Sequence, residues 1–182
     1  MRLLTIAAIA VLGLAGAAAW VVEDEPDWYL RARYPLAYEQ ILRGDAETYD
    51  LDPALLAAVV YVESRFDPNA RSAAGALGLM QLLPETAKGI ALRTGGDRFV
   101  VADLRDPEIN VRYGSWYLDH LRQRYEDTRT ALAAYHAGQG NVDGWLRSGQ
   151  GIAFPETRAY VDEVSRVRDV YAEAYPLQLG LQ

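Results

Sequence analysis

The sequence predicts an all-α fold, and three features lead to this prediction. No stretch alternates apolar and polar residues for long enough to indicate a β-sheet. Asp-Pro pairs at residues 52–53 and 106–107 are typical of helix starts, in which aspartate caps the helix and proline takes its first position. Behind the second pair, Ile109, Tyr113 and Tyr117 recur at helical spacing. We therefore expect helices joined by loops.

The expected elements follow from these start signals and from glycine and proline breaks. In chain order the helices are expected at 35–49, with Gly44 as a candidate break; from 53 to 65 or 66; at 79–92, broken at Pro84; at 107–125; at 130–137, closed by Gly138; and from 155 to about 175, ended by Pro176. Loops are expected at 69–78, 94–101 and 138–141.

Composition narrows the class of protein. The 182 residues suit one domain with an N-terminal segment. A formal net charge of −7 without a block of Lys or Arg argues against nucleic-acid binding. Because there is no cysteine, disulfides and thiolate metal sites are excluded, and the two histidines lack the spacing of a zinc hydrolase. No metal or cofactor is expected.

The N-terminus carries a signal for export. Residues 3–22 are uncharged and long enough to cross a bilayer as a hydrophobic helix, between Arg2 and an acidic cluster at 23–25. Residues 17–19 offer an alternative, the small-residue cleavage site of a signal peptide. We favour an uncleaved membrane anchor at 1–22, because the apolar run continues to Val22. A linker at 23–34, a domain at 35–176 and a tail at 177–182 would follow, outside the cytoplasmic membrane.

Glu63 is the strongest candidate for a catalytic residue. It falls in the last turn of the helix that begins at Pro53, on the same face as Leu56, Val59 and Val60. Burial on an apolar face and the negative end of the helix dipole both favour the protonated carboxyl, so the pKa of Glu63 should be raised. A general acid that works near neutral pH needs such a shift. The alternative is that Glu63 marks the polar edge of a buried helix, and this segment alone leaves both open.

Several short phrases occur in a fixed order along the chain. They are Glu63-Ser64 with Phe66, Pro68, Ala70 and Ser72; Gly75-Ala76 and Gly78-Leu79-Met80-Gln81 with Pro84 and Thr86-Ala87; Asn110, Gly114 and Tyr117-Leu118; Ala131-Leu132-Ala133-Ala134-Tyr135 with Ala137-Gly138; and Pro155-Glu156-Thr157-Arg158 with Tyr160-Val161. Together they resemble the catalytic domain of the soluble-type (SLT, family 1) lytic transglycosylases, lysozyme-like enzymes that cut peptidoglycan. The resemblance covers about residues 34–175, and residues 34–36 are similar to membrane-anchored members.

The resemblance implies a lysozyme-like helical domain with a glycan-binding cleft and Glu63 as its single catalytic carboxylate. The implied reaction cleaves the β-1,4 bond between N-acetylmuramic acid and N-acetylglucosamine. Glu63 would protonate the leaving oxygen and then act as base on the muramoyl 6-hydroxyl, which closes a 1,6-anhydro ring without water. One carboxylate suffices when the sugar's acetamide assists. The next acids, Asp67 and Glu85, occupy a turn and a helix start.

The resemblance also implies substrate-binding residues. Ser72 and Gln81 would hydrogen-bond sugar or acetamide groups. The floor would be formed by Gly78, Leu79, Met80 and Leu83, and hydroxyls near Glu63 would come from Tyr117, Tyr135 and Tyr160, with Ser64, His136, Ala137 and Gly138 beside them. The alternatives are a glycine-rich turn for the floor and core positions for the tyrosines. Trp145 could stack on a sugar, although packing is favoured.

One residue departs from the family pattern. The family usually has asparagine where this chain has His136. An imidazole can donate and accept hydrogen bonds, and it titrates near neutrality. We therefore expect substrate binding to vary between about pH 5 and pH 7.5. His120, in contrast, is expected on a solvated helix face.

Two other functions stay open from the sequence. A hydrolase of the same fold would use a bound water and another carboxylate. A noncatalytic glycan-binding protein of the cell envelope would need neither.

Overall fold

The computed structural model describes residues 25–181. Within that range the protein is helical, with no β-strand and only two isolated bridge pairs, Arg71 with Leu77 and Leu77 with Leu82. The helices are α1 (Asp27–Arg33), α2 (Glu39–Thr48), α3 (Pro53–Ser64), α4 (Pro84–Thr94), α5 (Pro107–Tyr125), α6 (Thr128–Ala137), α7 (Gln139–Arg147), α8 (Pro155–Ala174) and α9 (Pro176–Leu179), with a 3-10 helix at Val101–Arg105. The all-α prediction is confirmed for these residues.

The chain divides into two units after Pro35. In the first, α1 occupies part of the expected linker. The expected membrane anchor at residues 3–22 lies outside the described residues. Among residues 25–181 no helix combines the length and apolar character needed to cross a bilayer. The boundaries of the domain at 35–176 and of the tail at 177–182 stay predictions.

Helix α3 lies at the centre of the second unit. Asp52 caps it, since its Oδ1 accepts a hydrogen bond from the Ala54 N–H at 2.9 Å, and Pro53 occupies the first helical position, as expected. Residues 54–61 are all buried, and a helix that is apolar on every side belongs in a core. It packs against α8 and α2. The helix ends at Ser64, and the residue that follows, Arg65, has a left-handed φ of 54°. Glu63 thus lies in the last turn of a helix that is buried along most of its length.

Two further helices are capped by aspartate side chains. Asp106 caps α5 through the N–H groups of Glu108 and Ile109, as predicted. Helix α6 begins at Thr128, two residues earlier than expected, because the Asp127 carboxylate accepts a hydrogen bond from the Thr130 N–H at 2.9 Å. Helix α5 packs against α2, α4 and α6, and α6 packs against α7 and α8.

The predicted helix at 79–92 is wrong in its first part. The backbones of Leu77 and Leu82 exchange two hydrogen bonds, at 3.0 and 3.1 Å, and close a tight turn. Gln81 in this turn has a left-handed φ of 47°, which is incompatible with a helix. The helix begins only at Pro84, which lies at its first position.

Three further boundaries differ from the prediction. Helix α2 begins at Glu39 and passes through Gly44 without a break, because burial of Leu42 and Ala46 outweighs the low helix propensity of one exposed glycine. The expected loop at 138–141 is wrong, since α7 starts at Gln139, directly after Gly138. Pro176 ends α8 but also opens the short helix α9.

Candidate active site

Glu63 faces a cleft of ≈390 Å³ in the second unit. The cleft is bordered by the end of α3, the loop before α4, and facing positions of α4, α5 and α6. Its lining residues are Glu63, Ser72, Ala74, Ala76, Gln81, Leu82, Leu83, Thr86, Tyr117, Tyr135, His136, Ala137 and Gly138. Most of the residues expected at the site therefore lie together, and Ala74, Ala76, Leu82 and Thr86 join them without having been predicted. Ser64, Gly78, Leu79, Met80 and Tyr160 do not line this cleft.

Size alone does not identify this cleft. Two larger depressions, of ≈580 and ≈450 Å³, lie on the second unit. The larger lies beside α2 and α9, and the other lies between the end of α2 and the end of α5. Neither is lined by Glu63. Chemistry, and not volume, identifies the cleft at Glu63 as the candidate site.

Burial raises the pKa of Glu63 to about 7, while the nearby Tyr160 hydroxyl acts in the opposite direction. The raised pKa predicted for Glu63 is confirmed. The Tyr160 side chain is buried, and among the described residues its hydroxyl makes no hydrogen bond of ordinary geometry. Near neutral pH, Glu63 can therefore both donate and accept a proton.

Ser64 connects α3 to the loop that forms the cleft. Its hydroxyl lies 2.7 Å from the carbonyl oxygen of Leu79 and 3.0 Å from that of Val60. A serine hydroxyl has a single proton to donate, so the two carbonyls share it. Ser64 therefore holds the loop beside the end of α3, where its hydroxyl contacts backbone carbonyls of α3 and of the loop.

The peptide groups of Met80 are held from two sides. Asn110 Oδ1 accepts a hydrogen bond from the Met80 N–H at 2.7 Å, and the Tyr135 hydroxyl donates to the Met80 carbonyl at 2.7 Å. Asn110 Nδ2 also donates to the carbonyls of Leu77, at 2.9 Å, and Leu104, at 2.8 Å. The Asn110 side chain is fully buried, so these bonds satisfy an amide that would otherwise be costly to bury.

Asn110 was part of the family resemblance but was not predicted as a site residue. An amide side chain on the apolar face of α5 was the available signal, because a polar group in such a position must find partners. Which partners it finds depends on a loop thirty residues away in sequence. The roles of Asn110 and of the Tyr135 hydroxyl therefore came only from the structure.

Two glycines allow the loop to approach α5. Gly78 has a φ of 78°, and a Cβ there would collide with Leu104 O and Asn110 Nδ2. At Gly114, in α5, a Cβ would collide with the Met80 side chain. Gly78, Leu79 and Met80 therefore support the loop that carries the cleft and do not line the cleft itself.

Ser72 and Gln81 carry the polar groups of the loop. Ser72 Oγ accepts a hydrogen bond from the Ala76 N–H at 3.0 Å. Gln81 Nε2 donates to the carbonyls of Gly78, at 2.9 Å, and Ala70, at 3.2 Å. Since the nitrogen is used inside the loop, Oε1 is the group of Gln81 that a ligand can still use as acceptor.

His136 lies at the edge of the cleft and contacts α8. Its Nδ1 lies 3.1 Å from the Thr157 hydroxyl, and its ring stacks on Tyr160 with centroids 4.5 Å apart. Partial burial lowers the pKa of His136 below 6.5, and the charge of Glu156 acts in the opposite direction. Tyr160 therefore lies between His136, on which it stacks, and Glu63.

The remaining aromatic predictions divide clearly. Tyr117 and Tyr135 pack with centroids 5.5 Å apart on the cleft wall. Trp145 is buried against Phe154, with centroids 4.9 Å apart, so packing is its observed role. His120 is exposed, as expected, and it stacks on Trp116.

Comparison with known proteins assigns the chain to a family. The family model described as Transglycosylase SLT domain matches residues 40–154, more than half of the chain. The chain belongs to this family. The resemblance inferred from the sequence is thereby confirmed.

The similarity of this SLT domain to individual proteins is substantial. It is 34% identical over 148 residues to the soluble lytic murein transglycosylase of Salmonella typhimurium, a match that covers 75% of this chain and 23% of the relative. The chain thus spans about a quarter of the length of this curated relative.

Solved structures confirm the SLT fold. The lytic transglycosylase Slt of Pseudomonas aeruginosa, solved as an inactive Glu-to-Gln mutant, is 34% identical with a TM-score of 0.73, over 80% of this chain and 26% of that one. The soluble lytic transglycosylase Slt70 of Escherichia coli is 30% identical with a TM-score of 0.76, over 85% of this chain and 27% of that one.

The Asn110→Ala variant should lose the three hydrogen bonds that hold the loop of the SLT domain. At about 1 kcal/mol per bond, we expect its free energy of unfolding to fall by about 3 kcal/mol. Urea denaturation measures this. Asn69→Ala, at an exposed position, is the control and should stay within about 0.5 kcal/mol of the parent protein. Equal stability of the two variants would contradict the role of Asn110.

Replacing Glu63 by Gln should stabilise the protein increasingly as pH rises. The folded-state pKa of about 7 exceeds the ordinary value of 4.5, so ionisation between these values costs the native state stability. At 1.36 kcal/mol per pKa unit, the gain for Glu63→Gln should reach about 3 kcal/mol above pH 7 and vanish below pH 4.5. Urea denaturation across this range measures it, with Glu85→Gln as the control. A difference that does not change with pH would show that Glu63 is not a buried acid.

Proposed function

We propose that this protein is a lytic transglycosylase of peptidoglycan. It cleaves the β-1,4 bond between N-acetylmuramic acid and N-acetylglucosamine and leaves a 1,6-anhydromuramoyl end. The observation that carries the proposal is Glu63, the one carboxyl group among the described residues that line the cleft, with its pKa raised to about 7. This protonation behaviour suits a group that must act first as acid and then as base.

The chemical steps balance with one carboxyl group. Protonated Glu63 donates its proton to the glycosidic oxygen as the bond from that oxygen to the muramoyl C1 breaks, with the sugar's acetamide assisting. The 6-hydroxyl oxygen of the same sugar then bonds to C1, and its proton passes to the Glu63 carboxylate. Glu63 returns to its starting state and no water is consumed.

The family relationship supports this proposal. The relatives named above are lytic transglycosylases, and the Pseudomonas aeruginosa protein is inactive as a Glu-to-Gln mutant. The matched region is only about a quarter of the length of that relative. The activity and substrate of this chain are therefore our proposal.

The other cleft residues bind the substrate under this proposal. Gln81 Oε1 accepts a hydrogen bond from an acetamide N–H or a sugar hydroxyl, and Ser72 and His136 contact neighbouring polar groups. Leu83, which is exposed in the cleft, packs against the apolar face of a sugar ring. The Tyr160 hydroxyl lies near Glu63 and lowers its pKa, which favours the ionised form that acts as base.

Two other functions are less well supported. A hydrolase of this fold that uses a second carboxylate to activate water would need that group in the cleft, and the described lining residues include none besides Glu63. A noncatalytic glycan-binding protein would have no use for a buried carboxyl group, which destabilises the fold when ionised.

The proposed place of action is the cell envelope. Under this proposal residues 3–22 tether the domain to the extracytoplasmic face of the cytoplasmic membrane, where it meets glycan strands. Cleavage of a signal peptide after residues 17–19 would instead release it. The proposed reaction uses neither a metal ion nor a cofactor.

Mass spectrometry of the fragments released from purified peptidoglycan tests the reaction. Residues 24–182 should release anhydromuramoyl ends, and the Glu63→Gln variant should release none. Hydrated reducing ends, which are heavier by one water, would establish a hydrolase. Sedimentation with peptidoglycan without release of fragments would favour a binding protein.

Glycan binding should weaken as pH falls through the pKa of His136, below 6.5. A bound sugar removes further water from the imidazole and so penalises its charged form. We would measure binding of a peptidoglycan oligosaccharide on the Glu63→Gln background, where Glu63 cannot titrate. His136→Asn should make affinity independent of pH in this range. Burial raises the pKa of Asp45 to about 6, in the same pH range. Since Asp45 is present in both proteins, any pH dependence that it causes would appear in both and would not be assigned to His136. The same pH profile in both would contradict a role for His136.

A further inference from the structure

Two residues of α8 contact the imidazole of His136. Thr157 and Tyr160 are three residues apart on this helix, so their side chains lie on the same face. The Thr157 hydroxyl lies 3.1 Å from Nδ1 of His136, and the Tyr160 ring stacks on the imidazole with centroids 4.5 Å apart. One contact is made to the edge of the ring and the other to its face. Helix α8 therefore fixes both the position and the plane of a ring that lines the cleft.

The hydroxyl of Thr157 has a single hydrogen-bond partner among the described residues, and that partner is Nδ1 of His136. A threonine inside a helix often donates to the carbonyl four residues before it. Thr157 is the third residue of α8, so Ala153 lies ahead of the helix, and its carbonyl accepts a hydrogen bond from the Arg158 guanidinium at 2.9 Å. Because Thr157 is fully buried, its hydroxyl depends on His136.

This dependence decides which nitrogen of His136 carries the proton. Partial burial lowers the pKa of His136 below 6.5, so at about pH 8 the imidazole is neutral, with one N–H and one acceptor. If Nδ1 carried the proton, it would donate to Thr157, and the Thr157 proton would be buried without an acceptor, which is costly. If Nε2 carries the proton, the Thr157 hydroxyl donates to Nδ1 and both groups are satisfied.

Nε2 is then the polar atom that His136 offers to a ligand, since it makes no hydrogen bond among the described residues. We propose that Thr157 is a positioning residue, whose hydroxyl holds His136 in the Nε2–H form. This part of the cleft then donates a hydrogen bond to an oxygen of the glycan and does not accept one. The identity of the ligand rests on the proposed function, whereas the position of the proton does not.

This arrangement makes the position more selective than the asparagine that is usual in the family. A side-chain amide carries both a donor and an acceptor, and it can turn to present either of them. The neutral imidazole held by Thr157 presents only a donor. A substrate group that can only donate is therefore disfavoured beside His136.

The alternative is that the contact between Thr157 and His136 only packs α6 against α8. Packing explains why both side chains are covered. It requires neither one tautomer of His136 nor a hydroxyl at residue 157, so the two interpretations predict different spectra and different effects of removing the hydroxyl.

Nitrogen NMR of the imidazole tests the tautomer. The chain has two histidines, so a His120→Gln variant assigns the signals of His136. At about pH 8 the parent protein should show a protonated Nε2 and an unprotonated Nδ1. Thr157→Val keeps the shape of the side chain but loses the hydrogen bond, which should change the Nδ1 resonance and allow the Nδ1–H form. Thr157→Ser keeps the hydroxyl and should restore the parent spectrum.

Calorimetry tests the consequence for binding. The probe is a peptidoglycan oligosaccharide, and all variants are made on the Glu63→Gln background at the same pH. Thr157→Val should weaken binding by about fivefold, the factor that corresponds to one hydrogen bond, and Thr157→Ser should retain the affinity. Thr94→Val is the matched control, because its hydroxyl bonds the Ile90 carbonyl at 3.0 Å outside the cleft, and it should change neither spectrum nor affinity.

The outcomes separate this inference from the proposed function. A protonated Nδ1 in the parent protein would overturn the inference, whether or not the variants fold. A Thr157→Val protein with the parent spectrum and affinity would reduce the contact to packing and leave the lytic transglycosylase proposal intact. If the spectra are as expected but the Glu63→Gln protein binds no glycan, the proposed function fails, and the donor role of His136 fails with it.

Discussion

The position of the Met80 peptide is the constraint on which the cleft depends. Asn110 and Tyr135 hold its N–H and its carbonyl, and Ser64 holds the neighbouring Leu79 carbonyl. These contacts join α3, α5 and α6 to one loop without a strand or a disulfide in the described residues. Because buried polar groups are costly without partners, the arrangement is specific as well as stable. The loop then presents Gln81 and Leu83 to the space in front of Glu63.

The same packing determines the chemistry of Glu63. Helix α3 is buried along almost its whole length, and its last turn carries the carboxyl group into a partly dry environment. Desolvation favours the neutral acid, and the pKa rises towards neutrality. An ionised Glu63 therefore costs stability at the pH at which it would work as a base. Such a conflict between stability and chemistry is typical of catalytic positions.

The helices were largely predictable because their signals are local. Asp52 and Asp106 are caps that act on the next two or three residues, so the starts of α3 and α5 could be identified from the sequence. The turn before Pro84 was not predicted, because the pairing of Leu77 with Leu82 competes with helix formation and depends on Asn110 in α5. Likewise, α7 follows Gly138 directly, where a glycine was expected to open a loop.

The sequence by itself determined the fold class, the family and the candidate acid at Glu63, because capping, periodicity and the ordered phrases are written in neighbouring residues. It also marked most of the residues that line the cleft. Only the tertiary structure decided that Ser64, Gly78 and Met80 support the loop and that His136 stacks on Tyr160. These facts depend on contacts between segments far apart in the chain, and no local pattern encodes the distance between two such segments.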